Sequence, residues 1–492
     1  MTEGALRERP HLFLGGSWAT SQDGEKIEVR SPANGNRIGE AQLAGTLDVD
    51  RAVAAARASF ESGAWRDRPP GERAAVLRAA ADHIAALGGQ AVDLLTSELG
   101  CPRSFSERAH VPNPIRHLRY YADLVERTDL EELRTDGVNR SLVAHEPVGV
   151  VGAITPWNGP LSGPVLKVAP ALAAGCSVIL KPAPETPLTA YLLADALAAA
   201  GLPDGALSVL PAGRDVGEYL VRHPGVDKIA FTGSTAAGRR IMELCANRIA
   251  RLTLELGGKS AAVVLEDADL DHVVRTVVPM AMSVNGQLCI SQSRVLVPIS
   301  RESEFVEALD SALRALVVGD PFDPATDIGP LISDTQRARV EGYLDLAHHE
   351  GARVVGGGRP VGLDAGHYVK PALLAGVENR MRVAQEEIFG PVMAVIPYRS
   401  EADAVAIAND SPYGLSGSVW SADHRRALAV SRRIRTGMVS VNGAVQAYGT
   451  PFGGFKQSGI GREMGPEGLF GYLEPKSIAL DLASWAGEDG AR

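Results

Sequence analysis

Two residues in this sequence have the types and surroundings for nucleophilic and acid–base chemistry. Cys289 follows a glycine-containing loop, and its thiol can act as a nucleophile where nearby donors or charges favour the thiolate. Glu255 stands between Leu254 and Leu256, where burial would raise its pKa and suit it to act as a general base. Each also has a plainer interpretation, as a thiol that only packs in a core and as an ion-paired glutamate.

Three turns that follow predicted strands carry groups able to bind a ligand. The first turn holds the indole N–H of Trp157 and the side-chain amide of Asn158. The second begins with Lys181, which can reach a ribose or a phosphate, and the third holds Gly233 and Ser234 at the start of a helix. Backbone N–H groups at a helix N-terminus can receive a phosphate. The simpler alternatives are a turn in which the asparagine satisfies local backbone groups and a lysine on the surface.

These turns belong to a stretch in which strands and helices alternate. Apolar runs predict strands at 148–154, 177–180, 207–210 and 228–231, with helices at 163–174, 188–199 and 216–222. A second stretch has predicted strands at 261–265, 294–297 and 392–396 and helices at 303–316, 334–350 and 402–408. Such alternation predicts parallel sheets with ligands at the carboxyl ends of their strands. The expected fold class is α/β, with a Rossmann-like parallel-sheet cofactor domain and a second α/β domain.

The overall composition excludes several classes of protein. A length of 492 residues exceeds what one hydrophobic core usually serves, so we expect two or three domains. The formal net charge of −10 offers no positive surface for a nucleic acid, and no apolar stretch is long enough to span a membrane. The N-terminus lacks an apolar secretory segment, and the four cysteines have neither disulfide-framework nor zinc-ligand spacing. We expect a cytoplasmic protein without a metal, a nucleic-acid partner or a membrane contact.

Five motifs that occur in one order resemble the NAD(P)-dependent aldehyde dehydrogenase family. They are Asn158, Glu255, Cys289, the segment 386–391 and the segment 451–459. The 34 positions from Glu255 to Cys289 match the usual separation of base and nucleophile in that family. The resemblance extends from about residue 12 to residue 475.

The resemblance implies a hydrolytic, non-acylating enzyme that oxidises an aldehyde to a carboxylic acid while NAD(P) is reduced. Cys289 would add to the aldehyde as a thiohemiacetal and, after hydride transfer, would carry a thioester. The side-chain amide of Asn158 and the backbone N–H of Cys289 would hold the oxyanion. Glu255 would activate the hydrolytic water, and Lys167, on the helix after the asparagine, would support the site.

The cofactor contacts carry over from the same resemblance. The matched residues are Trp157, Gly233 and Ser234 at the pyrophosphate, Lys181 at the adenosine ribose, and Glu387 and Phe389 at the nicotinamide ribose. Many members have an acid or a serine three residues after this lysine, where this chain has Pro184, with Glu185 one position later. NAD is the expected cofactor with Glu185 in place of the usual acid, and NADP is the alternative.

The substrate funnel that the resemblance implies is apolar. Its residues are Gly159, Gly163, Leu166, Leu288, Ile290, Tyr448 and Phe452. Many relatives have larger side chains at the first three positions, and none of the seven is an arginine or a lysine that could bind a second carboxylate. The expected substrate is a medium-sized or bulky hydrophobic aldehyde, aromatic or terpenoid-like.

The resemblance also implies a division of the chain and self-association. We expect an NAD-binding domain at 1–126 and 148–257, a catalytic domain at 258–457, and a small β oligomerisation element at 127–147 and 471–492. This element would build a homodimer or a homotetramer.

Two other functions are compatible with these motifs. In a CoA-acylating dehydrogenase, CoA rather than water takes the acyl group, and that branch usually lacks the base matched to Glu255. A binding protein with this fold and no turnover would not need the complete set of Asn158, Glu255 and Cys289.

Overall fold

The computed structural model describes residues 3–481, whose strands form two large sheets and two small ones. Helices and strands are numbered in chain order. The N-terminal elements are α1 (Glu3–Arg7), β1 (Glu8–Arg9), β2 (Leu12–Leu14), β3 (Ser17–Ala19), β4 (Lys26–Arg30), β5 (Arg37–Gln42), α2 (Thr46–Ser62), α3 (Pro70–Leu87), α4 (Gly89–Leu99), α5 (Arg103–Phe105), a π-helical turn (Ser106–His110) and α6 (Pro112–Glu126).

The next segment contains the alternating elements predicted from the sequence. They are β6 (Glu131–Thr135), β7 (Arg140–Pro147), β8 (Val150–Ile154), α7 (Ser162–Ala174), β9 (Ser177–Lys181), α8 (Pro187–Ala199), β10 (Leu207–Val209), α9 (Arg214–Arg222), β11 (Lys228–Thr232), α10 (Thr235–Ala246) and β12 (Arg251–Glu255). The predicted strand 148–154 begins later, at Val150, because Gly149 has φ 122° and turns the chain into the sheet.

The remaining elements form the second α/β region and the C-terminal strands. They are β13 (Ala261–Val264), α11 (Leu270–Met282), a 3₁₀ turn (Ser283–Gly286), β14 (Arg294–Pro298), a 3₁₀ turn (Ile299–Arg301), α12 (Glu302–Arg314), α13 (Asp334–His349), β15 (Arg353–Gly356), β16 (Ala372–Ala375), α14 (Arg382–Gln385), β17 (Val392–Tyr398), α15 (Glu401–Asn409), β18 (Gly417–Trp420), α16 (His424–Ser431), β19 (Ser440–Val441), a 3₁₀ turn (Lys456–Ser458), β20 (Gly459–Ile460), α17 (Gly465–Phe470) and β21 (Leu473–Leu480).

The first large sheet is doubly wound, as the sequence predicts. Its order is β20-β12-β11-β8-β9-β10-β2-β3, and the five strands from β12 to β10 are parallel. After β8 the chain adds β9 and β10 on one side of this strand, and it then returns to add β11 on the other side. The topological switch point therefore lies between β8 and β11. Ligands of open α/β sheets bind at the carboxyl ends of the strands beside such a point. Strands β8 and β9 are buried along their whole length, which explains their continuous apolar sequences.

The second large sheet has the order β15-β16-β17-β14-β13-β18-β19, with only β15 antiparallel. Separate hydrophobic clusters pack against it, one including Val263 and the other Val264, because neighbouring residues of a strand face opposite sides. The two sheets confirm the α/β fold class.

A small antiparallel sheet joins β6, β7 and β21. Every residue of β6 is exposed, so this sheet has an open edge. The predicted oligomerisation element includes these three strands, and its part beyond residue 481 lies outside the described residues. None of the helices between residues 3 and 481 is long and apolar enough to cross a bilayer.

Candidate active site

Cys289 lies in a tightly held loop that follows α11 and a 3₁₀ turn. Val284 and Asn285 in this turn have φ values of 52° and 59°, a left-handed conformation that is costly for a β-branched residue such as valine. The side-chain amide of Asn285 donates to the carbonyl oxygens of Gly100 at 3.0 Å and Pro330 at 2.7 Å. These contacts with distant segments fix the strained turn and thereby the loop that carries the cysteine.

The Cys289 thiol is free, and the residue is partly exposed. Burial of the sulfur raises its pKa to about 12, and the carboxylates of Glu387 and Glu255 act in the same direction. The backbone N–H groups of Cys289 and Ile290 oppose this shift. The resting group is therefore a thiol, which needs a base before it can attack a carbonyl carbon.

Two glycines allow other backbone segments to approach this loop. A Cβ atom on Gly258 would lie 2.5 Å from the carbonyl oxygen of Cys289. A Cβ atom on Gly286, whose φ is 76°, would lie 2.2 Å from the carbonyl carbon of Gly390. Both distances are too short for any side chain, so glycine is required for the loop to close at these points.

Asn158 follows β8 and reaches the cysteine loop from the first sheet. Its Nδ2 donates to the carbonyl oxygen of Gln287 at 2.9 Å, two residues before Cys289. The Gln287 side chain is buried, and its Oε1 accepts a hydrogen bond from the backbone N–H of Ile332 at 3.0 Å. The predicted oxyanion donors, the Asn158 amide and the Cys289 N–H, thus lie on neighbouring segments.

Glu255 ends β12 and is only 2% exposed. Neither of its carboxyl oxygens has a hydrogen-bond partner among the residues that the structure describes. Burial raises its pKa well above the usual value, and the nearby Glu463 raises it further, while Lys167 and Arg462 act against the shift. A carboxyl group with a raised pKa is a stronger base in its ionised form than an ordinary glutamate, which suits it to take a proton from water.

Lys167, predicted to support the site, forms a buried ion pair that sequence reasoning missed. Its Nζ donates to Thr232 Oγ1 at 2.6 Å and to the Glu463 carboxylate. The side chains of Lys167 and Glu463 are 0% and 4% exposed. The two residues are 296 positions apart, so no spacing pattern connects them. The only local signal was that Glu463 is a charged residue in a glycine-rich segment.

The predicted pyrophosphate residues lie at the switch point. Ser234 begins α10, and its Oγ accepts the Ala237 N–H at 3.3 Å. A Cβ atom on Gly233 would lie 2.4 Å from the Phe231 ring, so only glycine allows this close turn. Trp157, beyond β8, packs edge to face on Phe389 with ring centroids 5.5 Å apart. These residues form a cradle that fits a dinucleotide.

The predicted ribose residues lie on either side of this cradle. Glu387 Oε1 accepts the backbone N–H of Gly258 at 3.1 Å, and burial raises the pKa of this carboxyl to about 7. Lys181 donates to the carbonyl oxygen of Ala212 at 2.5 Å, and burial lowers the pKa of its amine to about 8. Glu185, expected to replace the usual acid, is exposed.

The predicted substrate residues belong to three segments of the chain. Gly159, Gly163 and Leu166 lie at or before the first turns of α7, Leu288 and Ile290 flank Cys289, and Tyr448 and Phe452 belong to the segment before β20. All are at least partly exposed. The backbone of Phe452 pairs with that of Glu463, so this segment continues toward the buried ion pair.

Tyr448 contacts helix α6, which sequence analysis did not include in the funnel. Its ring packs on His117 with centroids 4.9 Å apart, and its hydroxyl donates to the carbonyl oxygen of Asn113 at 3.4 Å. The Arg116 guanidinium lies 5.6 Å from the Tyr448 ring centroid. A cation therefore stands beside a predicted funnel residue, although none of the seven funnel positions is itself basic.

The chain was compared with known protein families, curated proteins and solved structures. The model of the aldehyde dehydrogenase family matches residues 18–478. A geranial dehydrogenase of Castellaniella defragrans is 45% identical over 96% of this chain and 99% of its own length. The structure of this chain resembles that of a Mycobacterium tuberculosis aldehyde dehydrogenase complexed with NAD+, at 48% identity and a TM-score of 0.95 over 96% of this chain and 99% of the other.

A further similar structure is a mutant of aldehyde dehydrogenase C from Pseudomonas syringae in complex with NAD+ and octanal. It is 37% identical, with a TM-score of 0.92 over 95% of this chain and 96% of its own. The family match covers most of the chain, and the relatives align over nearly their full lengths. The chain therefore belongs to the aldehyde dehydrogenase family, and it is an oxidoreductase.

Proposed function

We propose that this aldehyde dehydrogenase oxidises a medium-sized or bulky hydrophobic aldehyde to its carboxylic acid, with NAD as the hydride acceptor. The observation that carries the reaction is the convergence of three groups from separate segments. The Asn158 amide reaches the loop of Cys289 at Gln287, and the Glu255 carboxylate acts electrostatically on the same thiol.

In this proposal the chain's own groups perform both half-reactions. The Cys289 thiol loses its proton to water, and the thiolate adds to the aldehyde carbon. The Asn158 amide and the Cys289 N–H donate to the resulting oxyanion, an interaction worth roughly 3–4 kcal/mol of barrier per donor. Once the aldehyde hydrogen has left as a hydride, Cys289 carries a thioester. The Glu255 carboxylate then takes a proton from water, and the hydroxide adds to the thioester carbon. The tetrahedral adduct collapses to the carboxylic acid, and the Cys289 thiolate leaves.

We assign the cofactor site to the crevice at the switch point. Trp157, Gly233 and Ser234 would hold the pyrophosphate and Lys181 the adenosine ribose, with Glu387 and Phe389 at the nicotinamide ribose. NAD supplies the positively charged ring that accepts the hydride. The NAD+ complexes of related structures support this cofactor, and exposed Glu185 is free to accept a hydrogen bond from a ribose hydroxyl.

The proposed substrate class rests on the first turns of α7. Gly159 and Gly163 have no side chains, and Leu166 is apolar and partly exposed, so these three positions present no charged group to a substrate. The 45% identical relative is named for geranial, and the P. syringae structure contains octanal. Both compounds are hydrophobic aldehydes.

A substrate panel tests this proposal. We expect the highest kcat/KM for terpenoid, aromatic and medium-chain aliphatic aldehydes, with no change in the product when CoA is added. Cys289→Ala should bind NAD without oxidising any aldehyde. If semialdehydes with a distal carboxylate had the highest kcat/KM, the proposed substrate class would be wrong, and acyl-CoA as the main product would overturn the hydrolytic mechanism.

We further propose that the chain works as a cytoplasmic homodimer or homotetramer. Residues 1–126 and 148–257 would bind NAD, 258–457 would be the catalytic domain, and 127–147 with 471–492 would join subunits. The open edge of β6 supports the last assignment, and four free cysteines suit a reducing compartment. Sedimentation analysis of a variant with proline in β6 would test the interface, because a lost backbone donor should weaken pairing across this edge.

A further inference from the structure

The proposed hydrolytic function leaves Glu255 with a proton to discharge in every turnover. Its carboxyl group is buried, and bound aldehyde and cofactor would separate it from solvent at the carboxyl ends of the strands. Neither oxygen of Glu255 has a protein hydrogen-bond partner in the described part of the chain, so its proton must pass to a neighbouring acceptor or to ordered water.

A row of polar groups extends from Glu255 toward the opposite end of the sheet. Strands β11 and β12 are parallel, with Thr232 beside Glu255 and Lys228 beside Arg251. Alternate residues of a strand share a face, so Thr253 lies on the same face as Glu255, one step nearer the amino ends. Lys228 Nζ donates to Thr253 Oγ1 at 2.7 Å.

The Lys167–Glu463 pair and two tyrosines cover this face. The hydroxyls of Tyr121 and Tyr472 are both buried, and that of Tyr472 has no hydrogen-bond partner among residues 3–481. Burial raises the pKa of both phenols well above the usual value, and the negative charge of Glu463 raises it further. Buried hydroxyls without protein partners are sites where ordered water binds. The amine of Lys228 lies 5.1 Å from the Tyr472 ring centroid, next to this group.

Lys228 also lines a cavity of about 390 Å³ at the amino ends of β11 and β12. This volume is many times the roughly 30 Å³ that one water molecule occupies in the liquid. Its other polar lining residues are Thr253, Arg251, Arg462, Glu467 and Glu474. Arg251 and Glu467 are exposed, whereas Lys228 is 2% exposed. The lysine therefore stands between the buried polar group and a solvent-facing cavity.

We propose that Lys228 carries the proton of Glu255 to this cavity, on the side of the sheet opposite the carboxyl ends. The proton leaves the Glu255 carboxyl group, passes Glu463 and ordered water, and binds the neutral amine of Lys228. The resulting ammonium group releases it to water in the cavity, which restores the amine. One proton thus leaves Glu255 and one enters bulk water, with no other change in the chain.

The environment of Lys228 suits an amine that exchanges protons near neutral pH. Burial lowers the pKa of its amine to about 8, so a fraction of the amine is uncharged near neutral pH. The charged and titratable groups that act on it from neighbouring elements are Cys176, Glu463, Lys167 and Glu474. An arginine at this position would keep the positive charge but could not release a proton.

Substitutions that separate charge from proton exchange test the proposal. In Lys228→Met and Lys228→Arg, stopped-flow absorbance should show the wild-type rate and amplitude of the first NADH burst, because acylation precedes the blocked step. The steady-state rate should fall about 10-fold or more in both variants. Its solvent deuterium isotope effect should increase, and small amine buffers that enter the cavity should restore part of the rate. Lys26→Met, which removes an exposed lysine on β4, should match the wild type.

The outcomes distinguish this proposal from the proposed function. A wild-type steady-state rate in Lys228→Arg would overturn the proton path, since a fixed charge would then be sufficient. Absence of any NADH formation by the wild type with every hydrophobic aldehyde would instead overturn the proposed function. If Lys228→Met does not fold, Thr253→Val removes the hydroxyl that binds Nζ and keeps the side-chain shape. An unchanged steady-state rate and isotope effect in Thr253→Val would also overturn the path.

Discussion

Replacement of Glu255 by glutamine should separate the two half-reactions of the enzyme. The two side chains have nearly the same shape, and Glu255 forms no hydrogen bond with any described residue that the amide would break. The variant should therefore fold and bind its ligands. Because glutamine cannot take a proton from water, hydrolysis of the thioester should become the slow step.

The expected size of the effect follows from the burial of this carboxyl group. A general base typically contributes about 10²–10⁴-fold, which corresponds to roughly 3–5.5 kcal/mol of barrier. Glu255 is only 2% exposed, so buffer bases have poor access and cannot replace it. We therefore expect the steady-state rate to fall by about 10³-fold or more, in the upper half of that range.

Stopped-flow absorbance of NADH provides the assay. Glu255→Gln should show a burst that approaches about one NADH per active site, followed by almost no turnover. Glu146→Gln is the matched control, because Glu146 is exposed and pairs with Lys476 at 2.9 Å on the surface, and it should match the wild type. Full steady-state activity in Glu255→Gln would remove this residue from the mechanism.

Three further predictions concern stability, packing and pH. Glu463→Leu should lower the free energy of unfolding by roughly 3–5 kcal/mol, because it leaves the Lys167 ammonium buried and unpaired. The double variant that also carries Lys167→Met should recover most of this loss. Equal thermal stability of the single and double variants would contradict a charged pair. Gly258→Ala should abolish activity, because its Cβ would displace the cysteine loop. The control Gly342→Ala lies in open space on α13 and should leave kcat unchanged. Equal kcat values in the two variants would refute the close approach of Gly258 to the backbone of Cys289. The pH midpoint of thioester hydrolysis should lie above the usual range of a glutamate, because the raised pKa of Glu255 means that a higher pH is needed to form the carboxylate. A midpoint at the ordinary glutamate pKa in single-turnover measurements would argue against this role.

The same shift in Glu255 has a consequence for stability. A raised folded-state pKa means that the folded protein binds this proton more tightly than the unfolded chain does. The stabilising contribution is complete below the ordinary glutamate pKa and is lost as pH rises through the folded-state value. Lys228 has a lowered pKa, so the folded protein releases this proton more readily than the unfolded chain does. Its contribution to stability therefore changes with pH in the opposite direction and increases as pH rises.

Local patterns in the amino-acid sequence were sufficient to predict the layered α/β fold. Continuous apolar runs such as that in β9 predict strands buried on both faces, and the helical periodicity between them predicts the crossovers. These patterns reflect the backbone preferences and burial of near neighbours, which do not require knowledge of distant segments. The resemblance of five motifs to one family then singled out Asn158, Glu255 and Cys289, and the family is confirmed.

Contacts between segments far apart in the chain could not be predicted from local sequence patterns. The partner of Lys167, the α6 residues around Tyr448, and the cavity beside Lys228 each depend on how separate elements pack. A lone glutamate or lysine has the same local appearance whether it is solvated or buried. The amino-acid order therefore specified the reaction class and the candidate reactive groups, while only packing in three dimensions determined the burial of these groups, their partners and the cavity beside Lys228.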